Sequence, residues 1–366
     1  MSKFDIKKVT LYLLLIMVVS YIIGFSLLQN KDLIQFGSGY TTKNLHEVNQ
    51  KKEETELNGI TRLNIATDSI DIQILPATEE KILAHLHGNY LSNRKNLPLK
   101  FLFKKEGDIL NIEIKTKKVT LFDHHLQLDI YLPESYQKNL KLATASGDCN
   151  VDTSKTFKEF IFSTSSGDFS GKYISAKSIQ LSSASGDLKL DGDCDTISIH
   201  TASGRFTTDS LKANTATTET ASGWFKINGN FKDFHFTSAS GDLSTETFES
   251  ERARVKTASG NISLKGIPGD IEANSMSGNI FAEYTDFQHN INANSMSGNI
   301  KLQIPKQSAF QITVNTASGT VDLSESFPVV IKGGFKIKNR FEGTVRDGQN
   351  LISSNTASGN VEIIGE

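Results

Sequence analysis

Few residues in this chain have the types and spacing that chemistry requires. His85 and His87 alternate along one short apolar-rich run, so both imidazoles point to the same side of an expected strand, and Asp123-His124-His125 lies in the same section. If those strands are neighbours, a metal site made of imidazole and carboxylate donors is conceivable; otherwise these are exposed polar groups. Asp148, Asp168 and Asp187 recur at one position of successive repeats and form a column of carboxylates. That column offers either calcium ligands or three separate corner caps. Arg205, followed one repeat later by Trp224, the sole tryptophan, interrupts the same column. Stacked at repeat spacing they suit either a structural cation–π contact or a surface that recognises a sugar or a partner.

Other candidates fail on their companions. Ser92-Asn-Arg-Lys95 fits S-x-x-K, yet the S-D-N and K-T-G motifs that its chemistry needs are missing. Polysaccharide-cleaving solenoids require paired acids along a groove, and no such pair can be placed. Cys149 and Cys194 fall about two repeats apart, beyond disulfide reach, and no Cys/His cluster has zinc-site spacing, so free thiols and no cofactor are expected. With 39 Lys plus Arg against 41 Asp plus Glu, the net charge of −2 lacks the basic excess that nucleic acid demands.

The elements that position these residues are repeats. Ser-Gly recurs at Gly147, Gly167, Gly186, Gly204, Gly223, Gly241, Gly260, Gly278, Gly298, Gly319 and Gly359, about nineteen residues apart except for a final step of 40. Arg340-Phe-Glu-Gly-Thr-Val345, with Gly343 in the glycine slot, reads as a degenerate twelfth unit inside that step. Seven and five residues before each glycine, and two after it, stand mostly apolar residues with polar ones between them. Each flank is therefore a strand with one buried face. A single short strand cannot bury that face alone, so the units must stack into a solenoid. Thr or Ser stands three residues before each of the eleven glycines, and Asp or Asn follows eight of them, so the corner is expected to place glycine at positive φ with polar side chains bonding nearby backbone. Met276 and Met296, within an octapeptide repeated identically, are expected to fill a wider corner.

Residues 58–140 break this rhythm. Alternating runs at Ile60 to Ala66, Ile70 to Leu75, Lys81 to His87, Leu99 to Phe103, Ile109 to Lys115 and Leu126 to Leu132 predict six strands of an N-terminal β-domain that caps a solenoid over residues 141–366. Residues 30–57 read as a polar tether. Ahead of it, Leu11 to Leu28 is uncharged and apolar, long enough for one transmembrane helix in a segment 1–29. Lys3, Lys7 and Lys8 precede it against Asp5 alone, which puts the N-terminus in the cytoplasm and everything after Gln29 outside. Ser26 to Asn30 offers no signal-peptidase site, so the anchor is expected to stay.

The [TS]-[AM]-S-G-[DN]-apolar units, together with Leu128 to Pro133, resemble the bacterial "putative adhesin" β-strand-repeat family, which includes LiaG-like membrane-anchored envelope proteins. The resemblance spans about residues 58 to 366. It implies an all-β, single-stranded, right-handed parallel β-helix of about 12 coils outside the cell and a link to envelope stress, and it brings no catalytic residues. The expectation is a single-pass cell-membrane protein that acts as a non-catalytic binding or scaffolding module, with envelope-stress membrane proteins or cell-wall glycan as partners. A surface adhesin stalk and a cell-wall hydrolase or lyase are the alternatives.

Overall fold

A computed structural model describes residues 44–92, 99–116, 124–152, 154–331 and 339–366, and among them the chain forms 27 strands and no helix. The apolar run Leu11 to Leu28 and Asp123 lie outside the described residues, within which no helix is long and apolar enough to cross a membrane. Strands form because the side-chain period is two: in Phe310–Thr316, Phe310, Ile312, Val314 and Thr316 are buried and the residues between them are not. The chain divides into two compact units, one ending at Leu190 and the other beginning at Asp191, rather than at residue 140.

In the first unit, the section expected to be a separate cap is part of the solenoid-like stack. Arg62–Thr67 pairs in parallel with Asn139–Thr144, Leu63 opposite Leu140 and Thr67 opposite Thr144, while Asp71–Pro76 pairs with Cys149–Val151. Between them Thr67-Asp-Ser-Ile-Asp71 makes the same corner as the Ser-Gly units, with Ile70 in the glycine slot. The Ile70 carbonyl lies where Gly147 approaches it most closely. Arg62–Thr67 also pairs with Ile109–Thr116, and Asp71–Pro76 with His124–Leu132, so the first coil in sequence lies second in space. The end coil then carries antiparallel strands: Leu99–Glu106 on Ile109–Thr116, Ile82–Ser92 on His124–Leu132, and Asn44–Glu54 on Ile82–Ser92. Residues 44–54, expected to be tether, thus form an eleven-residue edge strand. Its backbone pairs although its side chains are mostly polar, and its exposed charges Lys51 and Glu53 suit an edge that must not recruit another chain.

The second unit uses the same device. Asn350–Thr356 lies between Ile291–Ser295 and Phe310–Thr316, and Val361–Gly365 between Ile300–Ile304 and Val321–Leu323, all in parallel. Spatial order therefore runs Gly298, Gly359, Gly319. Gly343 is not a corner: Arg340–Val345 runs antiparallel to Phe310–Thr316, with Gly343 opposite Ile312, and Val329–Ile331 continues the antiparallel edge. Inside, phenylalanines stack along the unit, Phe225 edge-on to Phe236 at 5.4 Å and Phe234 edge-on to Phe248 at 5.1 Å. These rings are fully buried, and burial of each contributes about 1.5–3 kcal/mol.

The corner glycines do not take positive φ. Gly192, Gly229, Gly266 and Gly269 in this unit do, but Gly223, Gly241, Gly260, Gly278, Gly298, Gly319 and Gly359 do not. Their requirement is close approach. A β-carbon on Gly260 would lie within 3.0 Å of the Gly241 carbonyl oxygen, closer than real β-carbons come to backbone, and the same holds at each successive corner glycine. The consequence is testable. Gly260→Ala should lower the melting temperature by the equivalent of about 1–3 kcal/mol, the usual overpacking cost, and Gly260→Asn should be no milder. Recovery of stability by Asn, which tolerates left-handed backbone, would show that conformation rather than space dictates the glycine.

Candidate functional site

Corner chemistry explains most of the polar columns. The Thr or Ser three residues before the glycine accepts its N–H, as in Thr144 Oγ1 from Gly147 N at 2.9 Å and Thr257 Oγ1 from Gly260 N at 2.9 Å. The carboxylates reach across to the adjacent coil rather than capping their own corner. Asp148 N–H donates to Asp71 Oδ1 at 2.8 Å, Asp168 N–H to Asp148 Oδ1 at 2.9 Å, and Asp187 N–H to Asp168 Oδ1 at 2.8 Å. Asparagine performs the same task in the second unit: Asn279 Oδ1 accepts from Asn299 N at 2.9 Å, and Asn299 Oδ1 from Asn360 N at 2.9 Å. Because only an acceptor oxygen is used, Asp and Asn are interchangeable there.

Arg205 and Trp224 occupy that slot in adjacent coils, followed by the buried, paired Phe206 and Phe225. Neither side chain has an oxygen to hold a neighbour's N–H. Both are exposed, Trp224 by 38%, in a slot that the other Ser-Gly units fill with Asp, Asn or Thr. Met276 and Met296 stand on corners of the same unit and are 40% and 59% exposed, so they face solvent instead of filling the corner.

The thiols are poor nucleophiles. Burial pushes the Cys149 thiol far up, and burial with repulsion from Asp193 and Asp195 pushes Cys194 up to about 12.

One cluster of donors is brought together. In the antiparallel pairing of Ile82–Ser92 with His124–Leu132, His85 is opposite Asp129 and His87 opposite Gln127. The histidines, two residues apart, share a face, with ring centroids 4.6 Å apart. His87 Nε2 lies 2.9 Å from Asp129 Oδ2, Gln127 Nε2 donates to Asp129 Oδ1 at 2.6 Å, and His85 Nε2 lies 2.9 Å from Asn49 Oδ1 on the edge strand. Asp129 is only 7% exposed, whereas both imidazoles are half-buried. Among the described residues His85, His87 and Asp129 form the one group of three His, Cys, Asp or Glu whose donor atoms all lie within 4.8 Å of one another. Desolvation, then repulsion from His87 and Lys51, pulls the His85 pKa below its ordinary value against the opposing pull of Asp129. The spacing of the histidines is visible in the sequence, but their partner is not. His125 falls opposite Asn89, two rows away, and the partner is Asp129, hidden in an alternating run that reads as plain strand.

A family model described as Toastrack DUF4097 matches residues 60–193 and again residues 191–364, two copies that meet where the compact units divide. Among solved structures, a "putative adhesin" from Parabacteroides distasonis is 13% identical, covering 87% of this chain and 97% of that one with a TM-score of 0.39. A "putative adhesin" from Parabacteroides merdae is 11% identical, with 89% and 98% covered and a TM-score of 0.37. A "Putative lipid binding protein" from Parabacteroides distasonis is 15% identical, with 89% and 98% covered and a TM-score of 0.38. No curated protein matches the chain.

The carboxylate column generates a prediction. Changing Asp148, Asp168 and Asp187 together to Asn should leave the melting temperature equal or higher, since each acceptor is kept and stacked negative charge is removed, whereas Asp148→Ala should cost about 1 kcal/mol for the lost hydrogen bond. Added calcium should shift the melting temperature of neither parent nor triple variant. A calcium-dependent rise that the triple variant loses would mark the column as a cation site.

Proposed function

We propose that this chain, which belongs to the Toastrack DUF4097 family, is a non-catalytic binding or scaffolding module of the bacterial cell envelope. In this reading Leu11 to Leu28 anchors it in the cell membrane with a single pass, and the residues after Gln29 lie outside the cytoplasm. The strands wind as a right-handed solenoid of about twelve coils, and the partners are cell-wall glycan or membrane proteins of the envelope-stress response. An adhesin stalk remains the rival reading.

The observation that carries the proposal is the contrast along the corner edge. At Asp148, Asp168, Asp242, Asn261, Asn279, Asn299 and Asn360, in the slot after the glycine, a side-chain oxygen is committed to a neighbouring backbone N–H, which supports a structural use for the acids. Arg205 and Trp224 break that pattern with exposed groups suited to recognition, and Trp and Arg are the side chains most often found at binding hot spots. The high pKa values of both thiols argue against covalent catalysis by cysteine.

Two experiments test this. Protease added to intact protoplasts should remove the part after Gln29 and leave a small membrane-held stub, and protection of the large part would refute the orientation. In cosedimentation with purified cell-wall sacculi, the full chain should pellet, and Arg205→Ala with Trp224→Ala should weaken binding by about tenfold or more, the loss expected for a hot-spot pair. The triple Asn variant should bind like the parent. Release of soluble glycan by the parent, abolished in the triple Asn variant, would overturn the non-catalytic reading.

A further inference from the structure

We propose that His85, His87 and Asp129 bind a divalent transition-metal cation of the zinc type on the outer face of the antiparallel strands in the first unit. Their geometry assigns this. His85 and Asp129 are direct cross-strand partners, and His87 is two residues along from His85 on the same face, so three donors converge from two rigid, adjacent strands. Donors within 4.8 Å of one another need only a small rotation of the two half-exposed imidazoles to reach the separation of about 3.3 Å that tetrahedral zinc bonds of 2.0–2.1 Å require.

The surroundings favour the same occupant. Asp129 is buried, and its one ion-pair partner among the described residues is His87, at 2.9 Å. A cation that replaces the hydrogen bond between His87 Nε2 and Asp129 Oδ2 would take that nitrogen and oxygen as ligands and balance the buried carboxylate. Gln127 already fixes the carboxylate through its other oxygen, the kind of supporting bond that orients a metal ligand. Asn49 Oδ1, beside His85, stands ready as a fourth donor or as a partner for a bound water. Two imidazoles with one carboxylate select zinc, nickel, cobalt or copper over calcium and magnesium, which need mostly oxygen ligands. Lys51, opposite His85 on the edge strand, is exposed and free to swing its ammonium into solvent. The cation would thus tie Ile82–Ser92 to His124–Leu132 and, through Asn49, to Asn44–Glu54.

The test is zinc titration of the metal-stripped full-length chain in detergent, followed by calorimetry and melting temperature. One zinc per chain should bind and raise the melting temperature. His85→Ala and His87→Ala should each weaken that binding at least tenfold, and so should Asp129→Asn, whereas His125→Ala should leave it unchanged. His85 is half-exposed, so its replacement keeps the fold even if the Asp129 variant does not. Absence of zinc uptake, uptake indifferent to both histidine changes, or uptake lost on changing His125 alone would overturn the assignment.

Discussion

The closeness with which one corner lies on the next governs this molecule. At the Ser-Gly corners from Gly147 to Gly186 in the first unit and from Gly223 to Gly359 in the second, the backbone of a coil comes so near its neighbour that no β-carbon fits between them, and the glycine is there to permit the contact. That approach lets a short side chain, Asp or Asn, accept an N–H from the adjacent coil, and lets the Thr or Ser three residues earlier accept the glycine's own N–H. Backbone donors that would otherwise face solvent are satisfied one after another. The apolar positions on either flank then fall into vertical register, Phe160 over Leu140 and Phe162 over Leu142.

Stacking of this kind has a cost at the ends of a stack, where a row of unpaired backbone groups would invite another chain. Both units answer it in the same manner. A coil belonging to one end of the unit's sequence is inserted between two others, and the coil displaced to the end receives antiparallel strands. Arg62–Thr67 and Asn350–Thr356 are the inserted coils, and Leu99–Glu106 and Arg340–Val345 pair with the coils so displaced. The two matches to one family model fit this doubling. In the first unit the antiparallel layer also creates the polar face that holds His85, His87 and Asp129, so the donor cluster is a by-product of protecting an edge.

Much of this could be read from the residues alone, and the failures have physical causes. The period-two alternation and the glycine rhythm gave strands, stacking and the register of the apolar columns, because these depend on local pattern. Three features depend on contacts distant in sequence. The coil of residues 62–76 escaped because Ile70 replaces the glycine, tolerated where that corner contributes its carbonyl to Gly147. Gly343 misled because Arg340–Val345 carries the right residue types yet runs antiparallel, and strand direction leaves no trace in composition. Asp129 is not legible as the partner because cross-strand register decides which residue faces His85, and nothing local distinguishes position 129 from 123 or 125. A requirement for space and one for positive φ select the same residue, so the glycine is legible in the sequence while its reason, close approach, is not.

Side chains after the corner glycine hold the amides of the neighbouring coil. Site-resolved hydrogen exchange of the full chain tests it most directly. The amides of Asp148 and Asp168, on exposed residues, and of half-buried Asp187, all just past a corner, should exchange as slowly as amides within the strands. Asp148→Ala should speed exchange at Asp168 while leaving Asp187, held by Asp168, protected. Exchange of these amides at the rate of open loops in the parent protein would contradict it.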